Sequence, residues 1–136
     1  MRVSATVSSS KLKHDVVVQT DGEAKSLAIP AKRSGNGSAV TGGEPLLLAL
    51  ATCYCNDLYR EAQRLEIALE GVEVEASAVF TGVGLAATDI QYRARVSCLA
   101  SADAIADLLR QTDTVAEVHN TVRAGVPCTL VPDAKT

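Results

Sequence analysis

Between residues 44 and 66 apolar side chains return every three or four positions: Leu46, Leu47, Leu50, Cys53, Tyr54, Leu58, Ala62 and Leu65. That is the period of an α-helix, here of about six turns. Glu44 suits the positive end of a helix dipole and Pro45 suits a first turn, while Thr41 or the neighbouring glycines can start the helix. The first half is apolar almost all round, so it should be buried on more than one side. The second half, Tyr59-Arg60-Glu61-Ala62-Gln63-Arg64, is amphipathic. Any fold for this chain has to be arranged around that one helix.

The flanks carry a different period. Residues 2–8 and 14–29 read as β, with Asp21-Gly22-Glu23 as a turn and Ala24 to Ile29 as the return strand, ended by Pro30. Residues 31–43 hold Gly35, Gly37, Gly42 and Gly43 and no periodicity, and read as a loop. Such long loops are often functional. From Gly71 to Phe80, Val72, Val74, Ala76 and Ala78 alternate with Glu73, Glu75 and Ser77. From Asp89 to Leu99, Ile90, Tyr92, Ala94, Val96 and Cys98 alternate with Gln91, Arg93, Arg95 and Ser97. With Thr81-Gly82-Val83-Gly84 between them, these predict a β-hairpin with one wet face.

Ser101 caps a second helix from Ala102 to about Thr112. Asp113 or Thr114 opens a short third helix through His119, broken by Gly125-Val126-Pro127. Cys128 to Val131 reads as a last strand, and Pro132 onward as a frayed tail. Strands are grouped and not alternated with helices, so the class is α+β, as a single domain over residues 1–136.

Composition narrows the function. Aromatic residues make up 3% of the chain and Trp is absent, so the core is built from Ala, Val, Leu and Ile. Stacking platforms for single-stranded nucleic acid are therefore few. The net charge is -3, and Lys11-Leu12-Lys13-His14 is too short to be a basic patch, so nucleic-acid partners are not expected. The longest apolar stretch, Pro45 to Ala51, cannot span a bilayer, so no membrane association is expected. The first residues lack the apolar run of a signal peptide, which makes a cytoplasmic location, with the four cysteines as thiols, the expectation. Gly35-Asn36-Gly37 and Gly82-Val83-Gly84 lack the context of a phosphate loop. His14 and His119 lack the spacing of metal ligands. No cofactor or metal is expected.

The stretch Glu44-Pro45-Leu46-Leu47-Leu48-Ala49-Leu50-Ala51-Thr52-Cys53 resembles the signature of the OsmC/Ohr family, in which a glutamate opens a Leu/Ala-rich helix carrying a reactive cysteine. Val118-His119-Asn120-Thr121-Val122, followed by Gly125-Val126-Pro127, resembles a second family motif in the right order. The resemblance implies antiparallel sheets around a long central helix, in an intertwined homodimer. It also implies reduction of small organic hydroperoxides: a thiolate attacks the peroxide, becomes a sulfenic acid, and a second cysteine closes a disulfide. Cys53 and Glu44 match the family's cysteine and glutamate, and Arg33, in the loop before Glu44, is the candidate for its arginine. The second cysteine falls at Ala116 and the proline after it at Glu117. An external thiol reductant would then have to resolve Cys53.

Each residue also has a plainer reading. Cys53 among Leu and Ala can be inert packing. Glu44 can simply complement the helix dipole, and Arg33 can be solvated. Cys55 points about 200° away from Cys53 on a helix, so the two cannot easily pair. Cys98 and Cys128, on expected strands, read as core or edge residues. Leu46, Leu50, Tyr54 and His119 are candidates to line a pocket, and a non-catalytic dimer binding a small apolar ligand is the alternative function.

Overall fold

The computed structural model describes residues 1–133, and the end of the expected tail, residues 134–136, lies outside them. The chain divides into two compact units, one of Met1–Pro45 and one that begins at Leu46.

The first unit is an antiparallel sheet of three strands, β1 (Val3–Ser9), β2 (His14–Thr20) and β3 (Glu23–Leu27), in the order β1-β2-β3. Val3 faces Thr20 and Ser9 faces His14 in one ladder, and Val16 faces Leu27 in the other. The turn between β2 and β3 has positive φ at both Asp21 (48°) and Gly22 (92°). Two positive φ angles match the twist of a tight hairpin, and Asp-Gly tolerates them. Only Val16 on these strands is buried.

The long helix α1 runs from Gly43 to Arg64. Its start is a reciprocal cap. The Thr41 N–H donates to the Glu44 carboxylate at 2.6 Å, and the Glu44 N–H donates to the Thr41 hydroxyl at 3.4 Å. This satisfies two of the backbone donors that a helix start leaves over.

In the second unit, β4 (Gly71–Val79) and β5 (Thr88–Ser97) form the expected hairpin, with Val72 opposite Val96, Val74 opposite Ala94 and Ala76 opposite Tyr92. Its wet face carries cross-strand Glu–Arg pairs, Glu75 with Arg93 and Glu73 with Arg95. Its other face packs on a core of Tyr54, Leu58 and Ala62 from α1, Leu108, and Ala116. No helix is long and apolar enough to cross a membrane.

Three expectations need correction. The second helix, α2, does not stop near Thr112 but runs from Ala102 to Val115. Thr112 is fully buried and its hydroxyl donates to the Leu108 carbonyl at 2.7 Å, so this polar residue is absorbed into the helix interior and breaks nothing. The third helix, α3, then starts at Glu117, not at Asp113 or Thr114, and continues past His119 to Ala124, where Gly125 takes a left-handed conformation (φ 59°). Residues 128–131 form no strand: they are exposed, and no strand among the described residues pairs with them.

Ser101 caps α2 as its sequence position suggests, its hydroxyl accepting from the Ala104 N–H at 3.1 Å. Ser101→Ala is expected to lower the unfolding free energy by about 1 kcal/mol in urea denaturation.

Candidate active site at Cys53

Cys53, Asp57 and Arg60 share one face of α1 because they stand at spacings of four, three and seven residues. Asp57 is buried, at 4% exposure. The Cys53 thiol lies 3.5 Å from Asp57 Oδ2, to which it donates. The other Asp57 oxygen, Oδ1, is held by the Arg60 guanidinium at 2.8 Å. Glu117, the first residue of α3, completes the group. Its Oε2 lies 3.9 Å from Cys53 Sγ and its Oε1 lies 3.8 Å from Arg60.

Electrostatics hold the sulfur as a thiol. Burial pushes the Cys53 thiol above its ordinary value, and the charges of Asp57 and Glu117 push the same way. A hydrogen bond from the Val118 backbone N–H to the sulfur opposes them. Burial also raises Asp57, and Arg60 pulls it back. A thiol donating to a carboxylate that an arginine steadies is an arrangement for moving a proton.

Two further consequences of this electrostatic setting are measurable. Removing the Glu117 charge takes away one of the influences that disfavour the Cys53 thiolate. Glu117→Gln is therefore expected to alkylate several-fold faster at Cys53 with iodoacetamide at pH 8, read by peptide mass spectrometry. Unchanged labelling would mean that Glu117 does not act on the thiol. Beside the site, Tyr54 donates to the Leu109 carbonyl at 2.7 Å, and burial, helped by Asp113, pushes its phenol up to about 12. The folded protein thus favours the neutral phenol. This stabilisation is complete below pH 10 and fades as pH rises from 10 to about 12. Tyr54→Phe is expected to flatten the alkaline loss of stability seen in the unchanged protein.

A second cluster lies behind Tyr54. His119, at 3% exposure, packs its ring 4.3 Å from Tyr92 and 5.7 Å from Tyr54. Both its nitrogens lack a partner among the described residues. Burial and the nearby Arg123 lower its pKa, which favours the neutral imidazole. The Tyr92 hydroxyl donates to Asp113, which also binds Arg123 at 2.5 Å. His119 and Leu50 line a cavity of about 110 Å³ together with Ile90, Tyr92, Val122 and Arg123.

Of the residues singled out in the sequence, Cys53 thus stands in a polar cluster, and Leu50 and His119 share a cavity. Tyr54 is in the core and Leu46 is at the surface; neither lines that cavity. Glu44 serves the cap with Thr41. Arg33 is exposed and makes no side-chain bond among the described residues. Ala116 is fully buried in the core against which Cys53 packs. All four cysteines are free: Cys55 and Cys98 are half-buried and Cys128 is exposed. Sequence reading missed Asp57 and Arg60, although their spacing from Cys53 was visible. It noted Glu117 only as a missing proline.

The comparisons agree with this architecture. The family described as OsmC-like protein matches residues 35–131. No curated protein matches the chain. Among solved structures, the OsmC-like protein from Mycoplasma pneumoniae is similar at TM-score 0.62 and 17% identity, covering 90% of this chain and 86% of that one. An organic hydroperoxide resistance protein OsmC from Legionella pneumophila is similar at TM-score 0.59 and 21% identity, covering 90% of each chain. An OsmC-like hydroperoxide resistance protein from Jannaschia sp. CCS1 is similar at TM-score 0.55 and 13% identity, covering 98% of this chain and 93% of that one. With the family matched over most of its length, and with the α+β fold shared, this chain belongs to the OsmC-like family.

Proposed function

We propose that the protein protects against oxidative stress by reducing small organic hydroperoxides through Cys53, with an external thiol restoring the sulfur. The observation that carries the reading is the Cys53 thiol donating to Asp57, 3.5 Å away, while Arg60 holds the far side of that carboxylate at 2.8 Å. The Legionella and Jannaschia proteins of similar fold are described as hydroperoxide resistance proteins, which supports the same direction.

The sulfur attacks the terminal peroxide oxygen, a sulfur–oxygen bond forms, and the O–O bond breaks. The thiol proton passes to Asp57 and on to the departing alkoxide, which leaves as the alcohol. Cys53 becomes a sulfenic acid. A first external thiol condenses with it, releasing water and leaving a mixed disulfide. A second thiol displaces Cys53 as its thiol. With Ala116 where a second cysteine would act, the external thiol is obligatory, and without it the sulfur over-oxidises.

The test is consumption of cumene or tert-butyl hydroperoxide with dithiothreitol, then dihydrolipoamide. Turnover is expected for the unchanged protein and not for Cys53→Ser, with a loss on the order of 100-fold in Asp57→Asn if it is the proton acceptor. Equal silence of the unchanged protein and Cys53→Ser would remove the reductase reading. The cavity beside His119 would then favour an OsmC-like protein that binds a small apolar ligand, sought by native mass spectrometry. A homodimer is part of the proposal. Val3, Val7, Leu48, Phe80 and Leu85 all stand exposed, and a second copy is a partner able to cover such residues. Light scattering that found only monomer at micromolar concentration would contradict it.

A further inference from the structure

We infer that Cys53, Asp57 and Glu117 together bind one divalent cation of the zinc class. One sulfur and two carboxylate oxygens, drawn from α1 and α3, lie within 4.8 Å of one another. In a tetrahedral zinc site, metal–sulfur and metal–oxygen bonds of about 2.3 and 2.0 Å place sulfur and oxygen roughly 3.5 Å apart. The separations from Cys53 Sγ are 3.5 Å to Asp57 Oδ2 and 3.9 Å to Glu117 Oε2. Two of the three edges are thus already near that spacing, and the exposed Glu117 side chain is free to close the third.

The direction of the oxygens supports the same occupant. Each carboxylate uses one oxygen toward Arg60, Oδ1 of Asp57 and Oε1 of Glu117, and turns the other toward the sulfur. A cation between the inner atoms leaves the Arg60 contacts intact as an outer shell. The charges balance: a thiolate and two carboxylates face one guanidinium and one dication. Sulfur among so few donors excludes calcium and magnesium as preferred occupants and selects a softer ion.

A second observation stands independently. His119, two residues beyond Glu117, is 3% exposed, and both its nitrogens are unpartnered. It lies close enough to Asp57 for that charge to act on it. Buried polar groups are nearly always paired, so an unpaired imidazole beside three converging donors points to a polar or ionic occupant at this place.

Binding replaces the thiol proton with the metal and releases that proton to solvent. The metal-bound sulfur loses its lone pair to the cation, so occupancy silences Cys53 toward peroxide. The inference rests on a reachable Cys53 thiol, as the hydroperoxide reading does, but not on turnover.

The reduced full-length protein, stripped with EDTA and desalted, is titrated with Co²⁺ and then with Zn²⁺. The expected result is one equivalent bound, with a sulfur-to-cobalt charge-transfer band, tetrahedral ligand-field bands and release of about one proton. Zn²⁺ then displaces the colour. The band is expected to vanish in Cys53→Ala, to persist in Cys128→Ser, and to need at least tenfold more metal in Glu117→Gln. No band, a band kept by Cys53→Ala, or a band lost in Cys128→Ser would overturn the inference. The hydroperoxide assay is run separately in excess EDTA. Turnover there without any cobalt band sinks the metal site alone, whereas a cobalt band without turnover sinks the reductase alone.

Discussion

Leu58→Ala is expected to lower the unfolding free energy by about 3–5 kcal/mol and the melting temperature by on the order of 10 °C. Leu58 is fully buried at the centre of the cluster that α1 shares with Leu108 and Ala116. Truncating a buried leucine removes its transfer free energy and leaves a cavity, and the cost grows with whatever part of that cavity the neighbours cannot fill. Around Leu58 they are poorly placed to fill it. Ala62 and Ala116 have no rotamers to move, and the hairpin contributes Val72, Val74, Ala94 and Val96, short or stiff at χ1. A core nearly free of aromatic residues has no large ring that could swing into the space. Leu48→Ala is the internal control: at 63% exposure it should change stability by no more than about 0.5 kcal/mol. Urea denaturation of the two variants separates the cases, and a loss below about 1 kcal/mol for Leu58→Ala would mean that this cluster does not carry the second unit.

How much of this was legible follows from the range of the interactions. The helix from residue 43 to 64 and the two alternating strands after it were readable because burial imposes periods of 3.6 and 2 on the sequence. The Asp21-Gly22 turn and the Ser101 cap were readable because their chemistry is local. The junction of α2 and α3 was misplaced because Thr112 looks like a helix breaker and acts as one only when its hydroxyl finds no carbonyl in its own helix. The strand expected at residues 128–131 failed for a different reason: β-branched composition is not sufficient without a ladder partner.

The site divides in the same way. Cys53 was found through a motif, but motif reading put weight on Glu44 and Arg33, on the chain before it. The structure shows the thiol bonded instead to Asp57, one turn later on its own helix. A period-four acid after a cysteine is visible in any sequence, but its burial is not, and burial is what turns a surface carboxylate into a proton acceptor. Glu117 comes from 64 residues away, and only the packing of α3 brings it to the sulfur.

That packing also shows why position 116 matters. Ala116→Cys is expected to give a protein in which Cys53 and the introduced thiol close a disulfide on treatment with one equivalent of hydroperoxide. Ala116 is fully buried in the cluster against which Cys53 packs. The next residue places its carboxylate 3.9 Å from Cys53 Sγ, and the one after it hydrogen-bonds the sulfur through its backbone. A sulfenic acid on Cys53 would then meet a thiol inside the protein, lose water and close the bridge, provided the Cα atoms approach within about 7 Å. The added sulfur must fit a packed site, so a stability loss of about 1–3 kcal/mol in the reduced form is expected. Intact mass after peroxide discriminates the outcomes. The unchanged protein should gain two oxygens as sulfinic acid, and the variant should lose two hydrogens and gain no oxygen. Turnover with dithiothreitol should rise in the variant, because a disulfide is a stable target for the reductant and a sulfenic acid is a transient one. If the variant over-oxidises as the unchanged protein does, position 116 does not face the sulfur. The loss of the second cysteine would then reflect a rearranged site, and not a single missing atom.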